Sequence, residues 1–529
     1  MSLRFLVIVA VVAVGVPVAV ATTRGRGGLD PTFGTGGRVI VSPNVVSRAQ
    51  AAVVQPDGKV VLAGFVADRT PHPIWWTMDF LALRLNLDGG LDQSFGTGGI
   101  VQTPIDLGGT NWDHADAVAL GPDGSVVLAG KAWKNTGEAD LAFVRYTPSG
   151  ALDTSFSGNG ILTINMGPDN ALGGVAVQPD GKIVAVGHAR SGFMVIRLLP
   201  NGTLDQSFGA GGIVDTNVGD SAYRDSAAAV VVLGDGKIVV AGTSGFDYPS
   251  YTPVSMDFAV VRYLPDGQRD PTFGSEGIVV TPGPKAEVAL GLAPAPDGKI
   301  VVAGYGGWPT IPRYTNGESS FQLARYLPSG ALDGTFGAGG TVTTSFDTKH
   351  AGPSSIVVEP NGKIIAGGTV FSDPPAAANP KFAVAAYNVD GSLDETFGVG
   401  GRRTYDLLSG ADFGYALAIQ PAAARSGADR LVFAGDSSAA DSTEDHVVAI
   451  GIDLGQPPPP PPARCRVPRV GGLTLSRARV RIRSAHCTVG HVRRVKSIRP
   501  RGTVILQRPR PGRRLPRGSR VNLVVSRGR

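Results

Sequence analysis

The nine residues Leu91–Gly99, LDQSFGTGG, recur in close variants that start at Leu29, Leu152, Leu204, Arg269, Leu332 and Leu393, spaced 52 to 65 residues apart. A second motif alternates with them: QPDGKVVLAG from Gln55, GPDGSVVLAG from Gly121, QPDGKIVAVG from Gln178, LGDGKIVVAG from Leu233, APDGKIVVAG from Ala295 and EPNGKIIAGG from Glu359, with a degenerate RLVFAG from Arg430. Two motifs in strict alternation mean one structural unit copied seven times, and such a period decides the architecture before any single residue does.

The unit from Ala227 to Thr281 shows what is copied. AAAVVVL, the tight turn GDG and KIVVAG predict a hairpin turning at Asp-Gly. After a variable loop, MDFAVVRYL predicts a third strand, PDGQRDPTFGSEG a longer connection and IVVT a fourth strand. Each unit is therefore expected to hold four antiparallel strands. Their apolar runs are nearly continuous, as for sheets covered on both faces when blades stack round an axis. The repeat region has no long amphipathic helix, and its many Gly and Pro residues punctuate strands rather than signal disorder.

On these motifs the segment from Leu29 to about Leu454 resembles the delta-60 repeat family, which is thought to form a β-propeller. The resemblance implies an all-β fold, a seven-bladed β-propeller of four-stranded antiparallel blades over residues 29–455; the family has no established activity, so it supplies a fold and not a function. The phase of the repeats says how the ring would close. The chain opens with one connection and one strand, Arg38–Val41, and the repeats end on three strands: GYALAIQ, RLVFAG and HVVAIGID. The early strand is expected to complete the last blade, which removes two exposed sheet edges. An open β-solenoid is the rival and would not need complementary ends.

Asp30, Asp92, Asp153, Asp205, Asp270, Asp333 and Asp394 recur in the first motif. They could be metal ligands or acid–base carboxylates. A residue that meets the same surroundings seven times suits a turn cap better. Phe33, Phe95, Phe156, Phe208, Phe273, Phe336 and Phe397 are expected to plug the gaps between blades. Arg84, Arg145, Arg197, Arg262 and Arg325 recur in the third strand, with Ala386 and Ile450 in the last two units. They read as partners of nearby carboxylates or carbonyls.

Residues that differ between units are the better functional candidates. Trp75, Trp76, Trp133 and Trp308 follow second strands and Trp112 lies in a blade-to-blade loop, two loop classes on the same face; Tyr248, Tyr251, Tyr305 and Tyr314 join them. Aromatics gathered on one rim suggest a binding surface for sugar rings or an unknown protein partner. The rival is that long loops cover themselves with their own aromatics. Catalysis has little support: there is no GxSxG, HExxH, Walker loop or metal-spaced His/Cys set, and neither a metal nor a cofactor is expected. Trp112-Asp113-His114 alone puts an aromatic, a carboxylate and an imidazole side by side. A propeller lyase or glycan hydrolase on the Trp-bearing face is the alternative reading.

The ends differ in character. Residues 1–21 read as a signal peptide: Arg4, the apolar Phe5–Val20 and the small-x-small Ala19-Val20-Ala21. A membrane anchor is the rival. From Gln456 to Arg529 there are nineteen Arg, one Lys and no acidic residue, hence +20, so the remainder carries +6 − 20 = −14. Residues 456–463 contain a run of six prolines, a stiff extended spacer. Cys465 and Cys487 are the only cysteines, and in an exported chain such a pair reads as a disulfide ahead of a metal site.

Residues 464–529 resemble a PASTA domain, most specifically in GTVILQRPRPG and GSRVNLVVSRG. The segment from Arg477 to Arg483 alternates like a strand, yet Leu475, Ala478, Ile482 and Ala485 lie at helical spacing with Thr474 or Ser476 to cap. The resemblance favours the helix, and a Cys465–Cys487 bridge would then tie the first strand to the helix end. It also implies peptidoglycan as a partner, although this copy is far more basic than usual. Charge alone would suit anionic wall polymer, lipid or nucleic acid. The tail has no Phe, Tyr or Trp for base stacking, which with export argues against nucleic acid and for wall polymer. The expectation is a secreted, wall-associated bacterial monomer.

Overall fold

The computed structural model describes residues 25–42, 46–68, 77–108, 112–134, 138–167, 170–189, 192–219, 224–246, 256–283, 286–307, 318–348, 350–371, 379–425, 428–438, 444–455, 465–515 and 518–529. The chain divides into two compact units between Gly455 and Gln456. The signal segment and the proline spacer lie outside the described residues.

The first unit is built of strands. His114–Leu120, Val126–Trp133, Ala139–Tyr146 and Ile161–Ile164 pair antiparallel in that order, and four more sheets repeat the arrangement from Asn170 to Tyr405. The remaining strands share one eight-stranded sheet, because Val46 makes a parallel bridge to Asp445. On one side of that bridge stand Val46–Val54, Val60–Asp68, Thr77–Leu85 and Ile100–Thr103. On the other stand Asp412–Gln420, Arg430–Ser438 and Asp445–Asp453. Arg38–Val41 pairs antiparallel with this last strand, Arg38 opposite Ile450 and Val41 opposite Val447, so the strand expected to complete the final group does pair there. The first strands of successive groups touch in chain order, and Asp412–Gln420 touches Val46–Val54.

The core lies between consecutive sheets. Val61, Ala63, Phe80 and Ala82 of one group pack on Ala115, Val126, Leu128, Val144 and Tyr146 of the next. Second and third strands are buried almost throughout, as their continuous apolar runs predict, whereas the first strand His114–Leu120 alternates between half-buried and buried. Its buried members are the small residues Ala115, Ala117 and Ala119. Each first strand also carries a bulge, here between Ala115 and Ala117, opposite the glycine that ends the second motif. A Cβ on Gly130 would sit 1.9 Å from the His114 carbonyl oxygen, which explains why that glycine recurs.

The hairpin turn differs in detail from the expected two-residue Asp-Gly turn. Gly58 N–H donates to Gln55 O at 2.8 Å, and Gly58 has φ +86°. Pro56 presets the first corner, so the chain turns over three residues and the glycine takes the left-handed position after a type I turn.

The second unit is a small α+β domain. Thr488–Val495 pairs parallel with Arg520–Ser526, which pairs antiparallel with Val504–Arg508. Leu475–Ser484 is a helix capped by Thr474, whose hydroxyl oxygen accepts the Arg477 N–H. Ala478 and Ile482 face the core and the arginines face out, so burial of the apolar stripe decides for helix over strand. Cys465 and Cys487 form a disulfide beside Val467, Val470, Val521 and Leu523. Among the described residues, no helix is long and apolar enough to cross a membrane.

Candidate functional site

At one end of the strands the two motifs meet. Asp92 accepts the Ser94 N–H and hydroxyl on one oxygen and the Arg84 Nε–H at 2.7 Å on the other. The Arg84 guanidinium lies 4.6 Å from the Phe95 ring centroid and donates to the Pro148 carbonyl of the next group. Arg145, Arg197, Arg262 and Arg325 hold Asp153, Asp205, Asp270 and Asp333 in the same way, each over its own phenylalanine. The motif lysine joins them, as Lys59 does on Asp92 at 2.8 Å. All seven phenylalanines are fully buried.

Where the third strand lacks arginine, the chain supplies one from elsewhere. Arg26 reaches Asp394 at 3.1 Å and also pairs with Glu359, which links the start of the repeats to a unit more than 300 residues away. Arg430, only 1% exposed, holds Asp30, stacks on Phe33 and donates to the Leu87 carbonyl. Burial opposes ionisation of Asp30, but the Thr32 and Arg430 hydrogen bonds bring its carboxyl down to about 2. The repeated aspartates are thus turn caps and ion-pair partners.

The opposite end varies in its side chains from unit to unit. Trp112 and Trp133 are brought together there, ring centroids 6.3 Å apart and edge to face, with Trp112 41% exposed. Trp75, Trp76, Trp308, Tyr248, Tyr251 and Tyr314 lie outside the described residues. Of the adjacent Trp112, Asp113 and His114, Asp113 has a structural part. Its carboxylate is fully buried and accepts the Ile105 and Trp133 backbone N–H groups, so it staples a blade-to-blade connection to the end of a second strand. Asp225 makes the same staple with the Val218 and Gly245 N–H groups, and Asp412 a variant of it with the Leu407 N–H and the Ser437 hydroxyl. Burial pushes the Asp113 carboxyl up to about 7 against those two hydrogen bonds.

A sector beside that staple carries side chains that the loop-by-loop reading missed. The residue after the recurring glycine of the second strand is Phe65, Lys131, His188, Thr243, Tyr305, Thr369 and Asp436 in turn, and opposite it stand Arg48, His114, Ala171, Ser226, Val288, Gly352 and Phe413. Variation at one register position of an otherwise constant motif was the available signal. Arg48 pairs with Asp436 at 2.8 Å and lies 5.5 Å from the Phe65 centroid and 5.4 Å from that of Tyr415. Phe413 stacks on Tyr415, and His114 meets Asp116 at 3.5 Å and the Phe65 edge at 6.5 Å. Burial pushes the Asp436 carboxyl up to about 7 in spite of Arg48. Burial also raises Asp116, whose Oδ2 makes no hydrogen bond among the described residues. Charged donors, carboxylates and aromatic faces in one sector can bind a polar ring-shaped ligand. Among the described residues, no three His, Cys, Asp or Glu side chains gather as a metal site.

Residues 121–156, 178–208, 233–273, 295–336 and 359–397 match the family model described as a domain of unknown function (DUF5122) beta-propeller. Residues 466–527 match the PASTA domain model. The chain carries repeats of the one and a copy of the other. The PASTA match associates the tail with the bacterial cell wall. No curated protein sequence matches the chain. Solved structures with a related arrangement include the polysaccharide lyase Uly1 (11% identity, 82% of this chain and 98% of that one, TM-score 0.42). They also include an α-L-arabinanase of Penicillium chrysogenum complexed with arabinobiose (11%, 82% and 98%, 0.39) and XC5397 of Xanthomonas campestris, a gluconolactonase (12%, 64% and 85%, 0.29). Likenesses of this degree carry nothing about activity or ligand here.

Proposed function

We propose that this is an exported bacterial surface protein that binds or scaffolds, with residues 1–21 removed as a signal peptide. Residues 29–455 would form a closed, seven-bladed propeller of delta-60 repeats, working as a monomer. Its ligand, a glycan or a protein, would sit on the face of Trp75, Trp76, Trp112, Trp133 and Trp308, next to Arg48, His114 and Tyr415. The tail would attach the molecule to peptidoglycan or anionic wall polymer. One contrast supports the reading above all: the motif end carries the same Asp and Phe in every unit, while one register position at the other end holds Phe65, Lys131, His188, Thr243, Tyr305, Thr369 and Asp436 in turn. Sameness there serves folding, and difference here leaves side chains free to specialise.

Pull-down with isolated cell wall compares the full chain with a chain ending at Gly455. The full chain should sediment with wall and the shortened chain should stay in solution. Equal retention of both would remove the tail from the account.

A further inference from the structure

In the PASTA domain three arginines, Arg466, Arg469 and Arg481, line one depression of about 490 Å³ together with Val467, Pro468 and Pro511. Arg466 lies in the strand Cys465–Arg466 and Arg481 in the last turn of the helix, and the Cys465–Cys487 disulfide ties these two segments together beside the depression. The Gly512 N–H donates to Val467 O and the Val467 N–H to Arg513 O, which fixes the remaining wall. All three arginines are exposed.

Three guanidinium groups round one hollow repel one another, and the segment from Gln456 to Arg529 contains no acidic side chain to relieve them. An oxyanion placed between them would be held by charge-assisted, fork-shaped hydrogen bonds. A carboxylate offers its two oxygens in one plane at the end of a carbon chain, whereas a phosphodiester sets two charged non-bridging oxygens tetrahedrally on a through-running chain, so that donors meet it from more than one side while the chain lies along the hollow. The apolar lining residues Val467, Pro468 and Pro511 would take the carbon chain between successive phosphates.

We propose that this depression is a subsite for the phosphodiester of a polyol-phosphate polymer. The proposal rests on the reading of the tail as a wall-attachment module and names the chemical group that it grips. The other exposed arginines of the domain then act at longer range as a screened field.

The test uses the full chain and two triple variants of equal charge. One is Arg466→Gln, Arg469→Gln, Arg481→Gln; the other is Arg479→Gln, Arg493→Gln, Arg494→Gln, three exposed arginines outside the depression. Binding is measured to immobilised glycerol-phosphate oligomer, to polyglutamate of matched length, to phosphatidylglycerol vesicles and to purified wall. The first variant should lose on the order of 30-fold or more in affinity for glycerol-phosphate oligomer, because matched charge-assisted hydrogen bonds go with the charge. The second should lose only a few-fold, from screened attraction alone. Both variants should melt as the parent does. Equal losses would overturn the subsite and leave a diffuse field. Parental binding to polyglutamate or vesicles as tight as to the oligomer would overturn the phosphodiester assignment. Wall binding without oligomer binding would overturn the subsite while the attachment reading stands. No wall binding at all would overturn both.

Discussion

The two ends of the propeller strands obey opposite rules. At the motif end, Asp, Arg and Phe recur because each set caps a turn, neutralises the cap and bridges to the next group. At the other end the register position shared by Phe65, Lys131, His188 and Asp436 changes side chain from group to group while the backbone around it stays constant. The lesson is that in a repeat protein constancy locates folding constraints and variation locates the freedom to specialise. Carboxylates divide the same way. Those of the motif end lie against guanidinium groups and are held ionised, as in Asp30 and Asp205. At the other end Asp113, buried against backbone N–H groups, and Asp436, buried beside Arg48, are pushed toward neutrality by their burial.

The strongest way to break the comparison is to remove what joins the ends of the chain. Deleting residues 22–44 takes away Arg26, Asp30, Phe33 and the Arg38–Val41 strand together. The melting temperature should fall by far more than one broken ion pair would cause, and an unchanged melting curve would rule out closure by that strand. Next in size is Arg430→Ala, which leaves Asp30 without its buried partner and should cost about 3–5 kcal/mol in denaturant unfolding. A loss within error would mean that Arg425, also bonded to Asp30 at 2.6 Å, is partner enough.

The pH dependence should separate the two ends. Asp205, ordinarily at 3.8, is at about 2 in the folded chain: burial is outweighed by its bonds to Ser207 and the nearby Arg197. Its contribution is present above pH 4 and is lost as pH falls through 2. Asp113 runs the other way. Raised by burial from 3.8 to about 7, it favours the fold below pH 4 and loses that contribution as pH rises through 7. Thermal stability should therefore decline on both sides of a mildly acidic maximum. Asp113→Asn should flatten the upper limb and Asp205→Asn the lower, and a single limb insensitive to either change would contradict the division.

Much of this was legible in sequence. The period, the four strands and the pairing partner of Arg38–Val41 follow from where the motifs begin and end. The roles of Asp92 and Phe95 follow from their recurrence. The substitutes for the missing third-strand arginines were not legible, because Arg26 and Arg430 reach their carboxylates from other strands and other units. The Asp113 staple was hidden for a similar reason: its partners, Ile105 and Trp133, offer backbone N–H groups, which carry no residue-type signature. The Arg48–Asp436 sector joins residues nearly 400 positions apart, brought together where the first and last groups of strands touch.

The smallest expected effect on stability bears on the central claim. Full chain and the variant Trp112→Ala are applied to an array of bacterial wall and capsular glycans, and their melting curves are recorded in the same buffer. The account predicts that the parent retains a glycan, that the variant loses it, and that the two melt within about 2 °C, as substitutions at exposed sites generally do. A variant that unfolds early, or that binds as its parent does, would contradict the assignment of the varied end to recognition.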